Sequence, residues 1–126
     1  MKTLLTINLA LLCVLAIMTH TSRTIVYERP EGNLGLIKAS WYGQESCVNP
    51  DCLMANGEVF REDKISCASR THYGKVLEIS YNGKTILCPV LDKISKTYDS
   101  TRVDLSKRAF ETLADLDEGL ITVVIK

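Results

Sequence analysis

The sequence lacks an excess of charge of either sign. It contains 15 Lys and Arg residues and 15 Asp and Glu residues, so its formal net charge is zero at pH 7. Proteins that bind nucleic acid usually present a basic field to the phosphate backbone, and this chain has none. Blocks of acidic residues are absent too. We therefore expect no binding to nucleic acid.

The sequence also lacks the residue clusters that hold metal ions. Its two histidines are His20 and His72, and its five cysteines include no Cys-x-x-Cys pair. A structural zinc site needs four Cys or His ligands at short, regular spacings. We therefore expect neither a metal site nor a cofactor.

No apolar run in the chain is long enough to span a bilayer. The longest covers about fifteen residues, from Leu4 to Met18, and follows the cationic Lys2. A spanning helix needs about 20 apolar residues, whereas this length and this charge are typical of a secretory signal peptide. An uncleaved amphipathic anchor is the alternative. The predicted organisation is a signal peptide at 1–22, a leader at 23–34 and one domain at 35–126.

We predict that the mature chain is secreted to the periplasm, the cell envelope or the extracellular space, without a stable membrane span. A lipid anchor at Cys13 is not expected, because Leu12 replaces the small residue that a bacterial lipobox has directly before its cysteine. Removal of residues 1–22 leaves four cysteines. An even number in a short exported chain predicts two disulfides.

The clearest local pattern is a hairpin between Lys75 and Leu91. Two apolar runs flank Asn82-Gly83, and both of these residues tolerate the positive φ that a two-residue hairpin loop requires. Asp92 then ends an otherwise apolar face. The predicted cross-strand pairs are Tyr81 with Lys84, Ile79 with Ile86, and Leu77 with Cys88.

The remaining segments read as short strands with one helix. Ser106 is a suitable N-cap for a helix that contains Glu111 and Leu113. Short strands separated by turn signals predict an all-β fold that closes into a barrel. The further strands are predicted at Gly35–Tyr42, Lys64–Ser69 and Leu120–Ile125.

The four mature cysteines allow three pairings, and we predict Cys47–Cys52 with Cys67–Cys88. The first pair closes a short loop. The second joins the strand before Ser69 to the strand that leads to Asp92, with Cys88 on the inner face of the hairpin.

Five segments occur in an order that resembles the rare lipoprotein A-like (RlpA-like) family, over about residues 35–125. The resemblance implies a six-stranded double-psi β-barrel with one short helix. It also implies a lytic transglycosylase that acts on peptidoglycan glycan strands. We expect the mature chain to be a monomer. The segments are Ala39–Gly43, Ala55–Phe60, Cys67–Thr71, Asn82–Lys84 with Val90–Asp92, and Val103–Ser106.

The resemblance implies that Asp92 is the catalytic acid and base, supported by Glu58. Such an enzyme cleaves the MurNAc–GlcNAc β-1,4 bond and leaves 1,6-anhydroMurNAc ends. One carboxyl group suffices, because the attacking nucleophile is the C6 hydroxyl of the sugar itself. The residues expected to bind the glycan are Trp41, Tyr42, Ser69, His72 and Lys93.

The sequence departs from the family pattern at two places. Ser69 stands where enzymatic members usually have a histidine, and Lys93-Ile94-Ser95 replaces the usual Arg-Gly-Pro. These departures favour an alternative, a non-catalytic module that binds cell-wall polysaccharide or acts like an expansin. A barwin-like or inhibitory secreted protein is a third possibility.

Overall fold

The computed structural model describes residues 35–47, 49–97 and 101–126, which contain six strands and one α-helix. The predicted signal peptide, the leader and Cys13 lie outside the described residues. None of the helices in the described part has the length and apolar character needed to cross a membrane. The elements are β1 (Gly35–Tyr42), β2 (Cys67–Ser69), β3 (Val76–Tyr81), β4 (Lys84–Asp92), β5 (Val103–Ser106), α1 (Lys107–Leu113) and β6 (Leu120–Ile125).

The six strands close into a barrel in the order β1-β5-β2-β4-β3-β6. The pairs β1–β5 and β2–β4 are parallel, and the other four pairs are antiparallel. The strands β2, β4 and β3 from the middle of the chain lie side by side, and β5, β1 and β6 complete the barrel. The prediction of an all-β, six-stranded barrel with one short helix is confirmed.

The β3–β4 hairpin has the predicted register. Tyr81 pairs with Lys84, and Leu77 pairs with Cys88. Asn82 and Gly83 have φ values of 45° and 78°, the left-handed conformation that this two-residue loop demands. The prediction for β2 was too long, because only Cys67–Ser69 is a strand. Lys64 instead donates its backbone N–H to the carbonyl of Arg61 within a turn.

The core fills the barrel and continues under α1. Ser106 caps this helix, as predicted, because its side chain accepts a hydrogen bond from the backbone N–H of Ala109. Phe110 and Leu113 point from the helix into the core and are almost fully buried. Burial of each such side chain contributes roughly 1.5–3 kcal/mol.

Both predicted disulfides are present, Cys47–Cys52 and Cys67–Cys88. The second joins β2 to β4 inside the core, where both cysteines are fully buried. The first closes a short loop in the long segment between β1 and β2. That segment, residues 43–66, positions the candidate site.

Candidate functional site

A groove with a volume of about 320 Å³ runs along the barrel surface. It is bordered by the end of β1, by the 43–66 segment and by the end of β4 with the loop that follows. Two carboxylates and both cysteines of the short disulfide loop are part of its wall. The lining residues are Tyr42, Ser46, Cys47, Asn49, Cys52, Leu53, Phe60, Ala68, Asp92, Lys93, Ile94, Ser95 and Asp104.

Tyr42 and Phe60 stack against each other in the wall of this groove. Their ring centroids are 4.5 Å apart and their planes differ by 20°. Alternation along β1 turns Trp41 toward the core and Tyr42 to the opposite side. The stack therefore fixes the 43–66 segment to β1.

The hydroxyl of Tyr42 is buried and forms no hydrogen bond of ordinary geometry with the described residues. Burial raises the pKa of Tyr42 far above its usual value, and the negative charges of Asp92 and Asp104 raise it further. The phenol therefore stays protonated at physiological pH.

Asp92 holds the 43–66 segment against the end of β4. Its Oδ1 accepts hydrogen bonds from the backbone N–H of Ala55 at 2.9 Å and of Lys93 at 2.8 Å. Next to it, the carbonyl of Leu91 accepts a hydrogen bond from the N–H of Asn56 at 3.2 Å. These contacts assign the Asp92 carboxylate a positioning role.

Asp104 belongs to a polar cluster beside the groove. The hydroxyl of Ser40 donates to Asp104 Oδ1 and accepts a hydrogen bond from Arg102 Nη2 at 2.6 Å. Arg102 Nε lies 3.4 Å from the same carboxylate oxygen. The charge of Asp104 is thus balanced by a neighbouring guanidinium.

Ser69 and His72 interact with each other away from the lining of the groove. The buried Ser69 Oγ lies 3.2 Å from His72 Nδ1 and accepts hydrogen bonds from the backbone N–H groups of Thr71 and His72. Burial lowers the pKa of His72 below its usual value, and the charge of Lys75 lowers it further. These contacts order the loop between β2 and β3.

The structure brings together only some of the residues that the sequence predicted for the site. Three of them line the groove: Tyr42, Asp92 and Lys93. Lys93 also places its Nζ 4.7 Å from the centroid of the Tyr73 ring. The four that do not line it are Trp41, Glu58, Ser69 and His72.

Trp41 and Glu58 illustrate two reasons for this difference. Trp41 packs against the core and donates its indole N–H to the carbonyl of Leu116 at 3.0 Å, so it has a structural partner. Glu58 is exposed in a hairpin turn, where its backbone N–H donates to Asn56 Oδ1.

Sequence reasoning missed the pair Leu53 and Val59, which flank that turn. The two residues form an antiparallel β-bridge and are 45% and 58% exposed. Their chain neighbours Met54 and Phe60 are buried. The sequence does contain a pattern that predicts their exposure. Apolar residues occur on both faces of a short hairpin, and only one of these faces can pack against the core.

Comparison with known proteins finds similarity to a protease inhibitor. No family model matches the chain. A stretch of 48 residues is 50% identical to the papain inhibitor of Streptomyces mobaraensis, and it covers 38% of this chain and 33% of that protein. The structure of a Streptomyces papain inhibitor matches with a TM-score of 0.63 and 27% identity, over 79% of this chain and 97% of the inhibitor.

Two structures of Clavibacter michiganensis expansin have the same fold. The complex of a point mutant with cellohexaose matches with a TM-score of 0.57 and 18% identity, and the apo protein with 0.59 and 19%. Each match covers 73% of this chain and 48% of the expansin. At these identities the likeness shows the fold alone. The double-psi β-barrel is thereby confirmed, whereas membership of the rare lipoprotein A-like family is not shown.

The prediction of a lytic transglycosylase is wrong. The protein that resembles this chain both in sequence and in structure is a papain inhibitor and not a peptidoglycan-cleaving enzyme. The catalytic roles predicted for Asp92 and Glu58 depended on that activity and lose their basis with it. The two disulfides indicate an oxidising compartment, which agrees with the predicted location outside the cytoplasm.

Proposed function

We propose that this chain is a secreted, non-catalytic barrel that binds and inhibits a cysteine protease of the papain type. One observation carries the proposal, the alignment with a Streptomyces papain inhibitor over 97% of that inhibitor. Residues 35–126 would form the inhibitory domain. The partner would be a protease instead of the peptidoglycan strands that the sequence suggested.

The geometry of the groove and its borders suits a binding surface. The Asp92 carboxylate is engaged by two backbone N–H groups, and the neighbouring loop is closed by the Cys47–Cys52 disulfide. Binding to a rigid surface costs less conformational entropy than binding to a flexible one. A pre-organised domain of this kind can therefore inhibit without a chemical step.

The direct test is an inhibition assay with the mature chain, residues 23–126, carrying both disulfides. Papain is titrated with the chain and its remaining activity is read from a fluorogenic peptide. We expect saturable inhibition of papain and none of trypsin, the control for specificity. The reduced and alkylated chain should not inhibit. The proposal fails if papain keeps full activity at a hundredfold excess of the oxidised chain.

Polysaccharide binding is the second candidate. Tyr73 exposes part of its ring beside Lys93, which lines the groove, and exposed aromatic rings can stack on sugars. Co-sedimentation with cellulose and with purified peptidoglycan tests it. A chain that pellets with either polymer and leaves papain active would replace the first proposal with the second.

A further inference from the structure

We propose that the hairpin turn from Leu53 to Val59 is the part of the molecule that enters the active-site cleft of the protease. This inference rests on the proposed inhibitory function and assigns it to a defined surface. We call the segment the apical turn. Its two ends present apolar side chains to solvent. Hydrogen bonds within the segment and to the end of β4 hold its backbone in place.

Leu53 and Val59 point in the same direction. The bridge between them is flanked by hydrogen bonds from Met54 N to Glu58 O and from Phe60 N to Cys52 O, each 2.8 Å long. That pattern makes Leu53 and Val59 a non-hydrogen-bonded pair. In such pairs the Cα atoms lie about 4.5 Å apart and the two side chains project side by side from one face.

The opposite face of the apical turn is buried. Met54 and Phe60 are only 7% and 2% exposed, and Phe60 stacks on Tyr42. Because side chains alternate along a strand, burial of these two residues forces their neighbours outward. The exposure of Leu53 and Val59 therefore follows from the packing beneath them.

The apical turn is held rigidly. Gly57 N donates to Met54 O at 2.9 Å, and the φ of Gly57 is +87°, a conformation that glycine adopts without strain. Ala55 N and Asn56 N donate to Asp92 and Leu91 at the end of β4. The Cys47–Cys52 disulfide restrains the segment just before Leu53. Binding through such a turn orders little additional chain.

The chemistry of the apical turn fits a protease cleft. Glu58 is its only charged residue, and the apolar side chains of Leu53 and Val59 are exposed next to a small polar tip. Apolar side chains that are exposed near one another commonly mark a surface that binds another protein. The other exposed leucines lie singly on separate strands: Leu36, Leu87 and Leu120.

The same turn is a poor substrate for the enzyme that it would occupy. Proteases cleave segments that lie extended in the cleft. The bond from Gly57 N to Met54 O and the anchors to Asp92 and Leu91 keep the backbone folded back on itself. The protease would have to break these contacts before it could cleave the turn.

The test compares single substitutions in the oxidised mature chain. Leu53→Glu and Val59→Glu place a charge in the proposed contact, and each should raise the inhibition constant for papain at least tenfold. Leu87→Glu is the matched control, because Leu87 is 54% exposed on β4 and lies outside the apical turn. The control should inhibit as the wild type does. Circular dichroism melts establish that all variants fold.

Val59→Thr is included in case the Glu variants misfold, because it keeps the shape of the side chain and replaces one methyl group with a hydroxyl group. It should weaken inhibition severalfold at an unchanged melting temperature. If the wild type inhibits papain and all three turn variants inhibit equally well, the apical turn is not the contact surface, although the inhibitory function stands. Equal losses in the Leu87→Glu control would also overturn the assignment. If the wild type does not inhibit papain, the proposed inhibitory function itself is wrong.

Discussion

At the scale of single residues, Asp92 shows what a sequence pattern can and cannot determine. Alternation along the hairpin places Asp92 correctly, at the end of an inward-facing apolar row. Its partner could not be inferred, because Ala55 lies 37 residues earlier in the chain, in an irregular segment. The motif suggested a proton donor, whereas the structure shows an acceptor for two backbone N–H groups.

Substitution of Asp92 therefore tests positioning and not acid catalysis. Asp92→Ala removes the acceptor for Ala55 N and Lys93 N, and we expect a loss of about 1 kcal/mol in the free energy of unfolding for each hydrogen bond. Inhibition of papain should weaken as well, because the apical turn loses an anchor. Asp92→Asn retains a carbonyl oxygen as acceptor and should therefore cause smaller losses of both stability and inhibition.

Urea denaturation and papain titration of the two Asp92 variants provide the measurement. In both assays we expect the same order: stability and inhibition are highest for the wild type, lower for Asp92→Asn and lowest for Asp92→Ala. If Asp92→Ala unfolds at the wild-type urea concentration and inhibits equally well, Asp92 does not position the turn.

At the scale of elements, the parts of the fold that local chemistry determines were predictable. Asn82-Gly83 specifies its hairpin because both residues accept positive φ, and Ser106 specifies a helix start through its own side chain. The 43–66 segment was not predictable in detail. Its shape depends on contacts that are distant in sequence, such as the stack of Phe60 on Tyr42.

Removal of one disulfide should mainly lower stability, whereas removal of the other should mainly weaken inhibition. Cys67 and Cys88 are 21 residues apart and buried in the core, so replacing both with Ala should lower the free energy of unfolding by about 3 kcal/mol. Cys47 and Cys52 are only 5 residues apart, and replacing both with Ser should cost about 2 kcal/mol. Inhibition, however, should suffer more from the second pair of substitutions, because that loop leads directly into Leu53.

Denaturant unfolding and inhibition constants for the two double variants, measured well below both unfolding transitions, decide this point. Larger loss of inhibition in the Cys67 and Cys88 variant than in the Cys47 and Cys52 variant would contradict the placement of the contact beside the short loop.

At the scale of the whole molecule, the sequence predicted architecture far better than activity. The segments that resemble the enzyme family are largely those that build the barrel. Asn82–Lys84 forms the hairpin turn, and Val103–Ser106 is a strand that ends in a helix cap. One fold hosts many functions, so motifs that encode strand ends and turns identify the fold without identifying the chemistry.

The closed barrel leads to a prediction about assembly. In the described residues each of the six strands pairs with two neighbours, so the barrel offers no open sheet edge to a second copy or to an extended peptide. The proposed contact is one apical turn per chain, from Leu53 to Val59. We therefore expect a monomer in solution and a complex of one chain with one protease molecule. Size-exclusion chromatography with light scattering, on the mature chain alone and mixed with catalytically inactivated papain, measures both stoichiometries. A stable dimer of the free chain, or a complex with two protease molecules per barrel, would require a second interface and would contradict binding through a single turn.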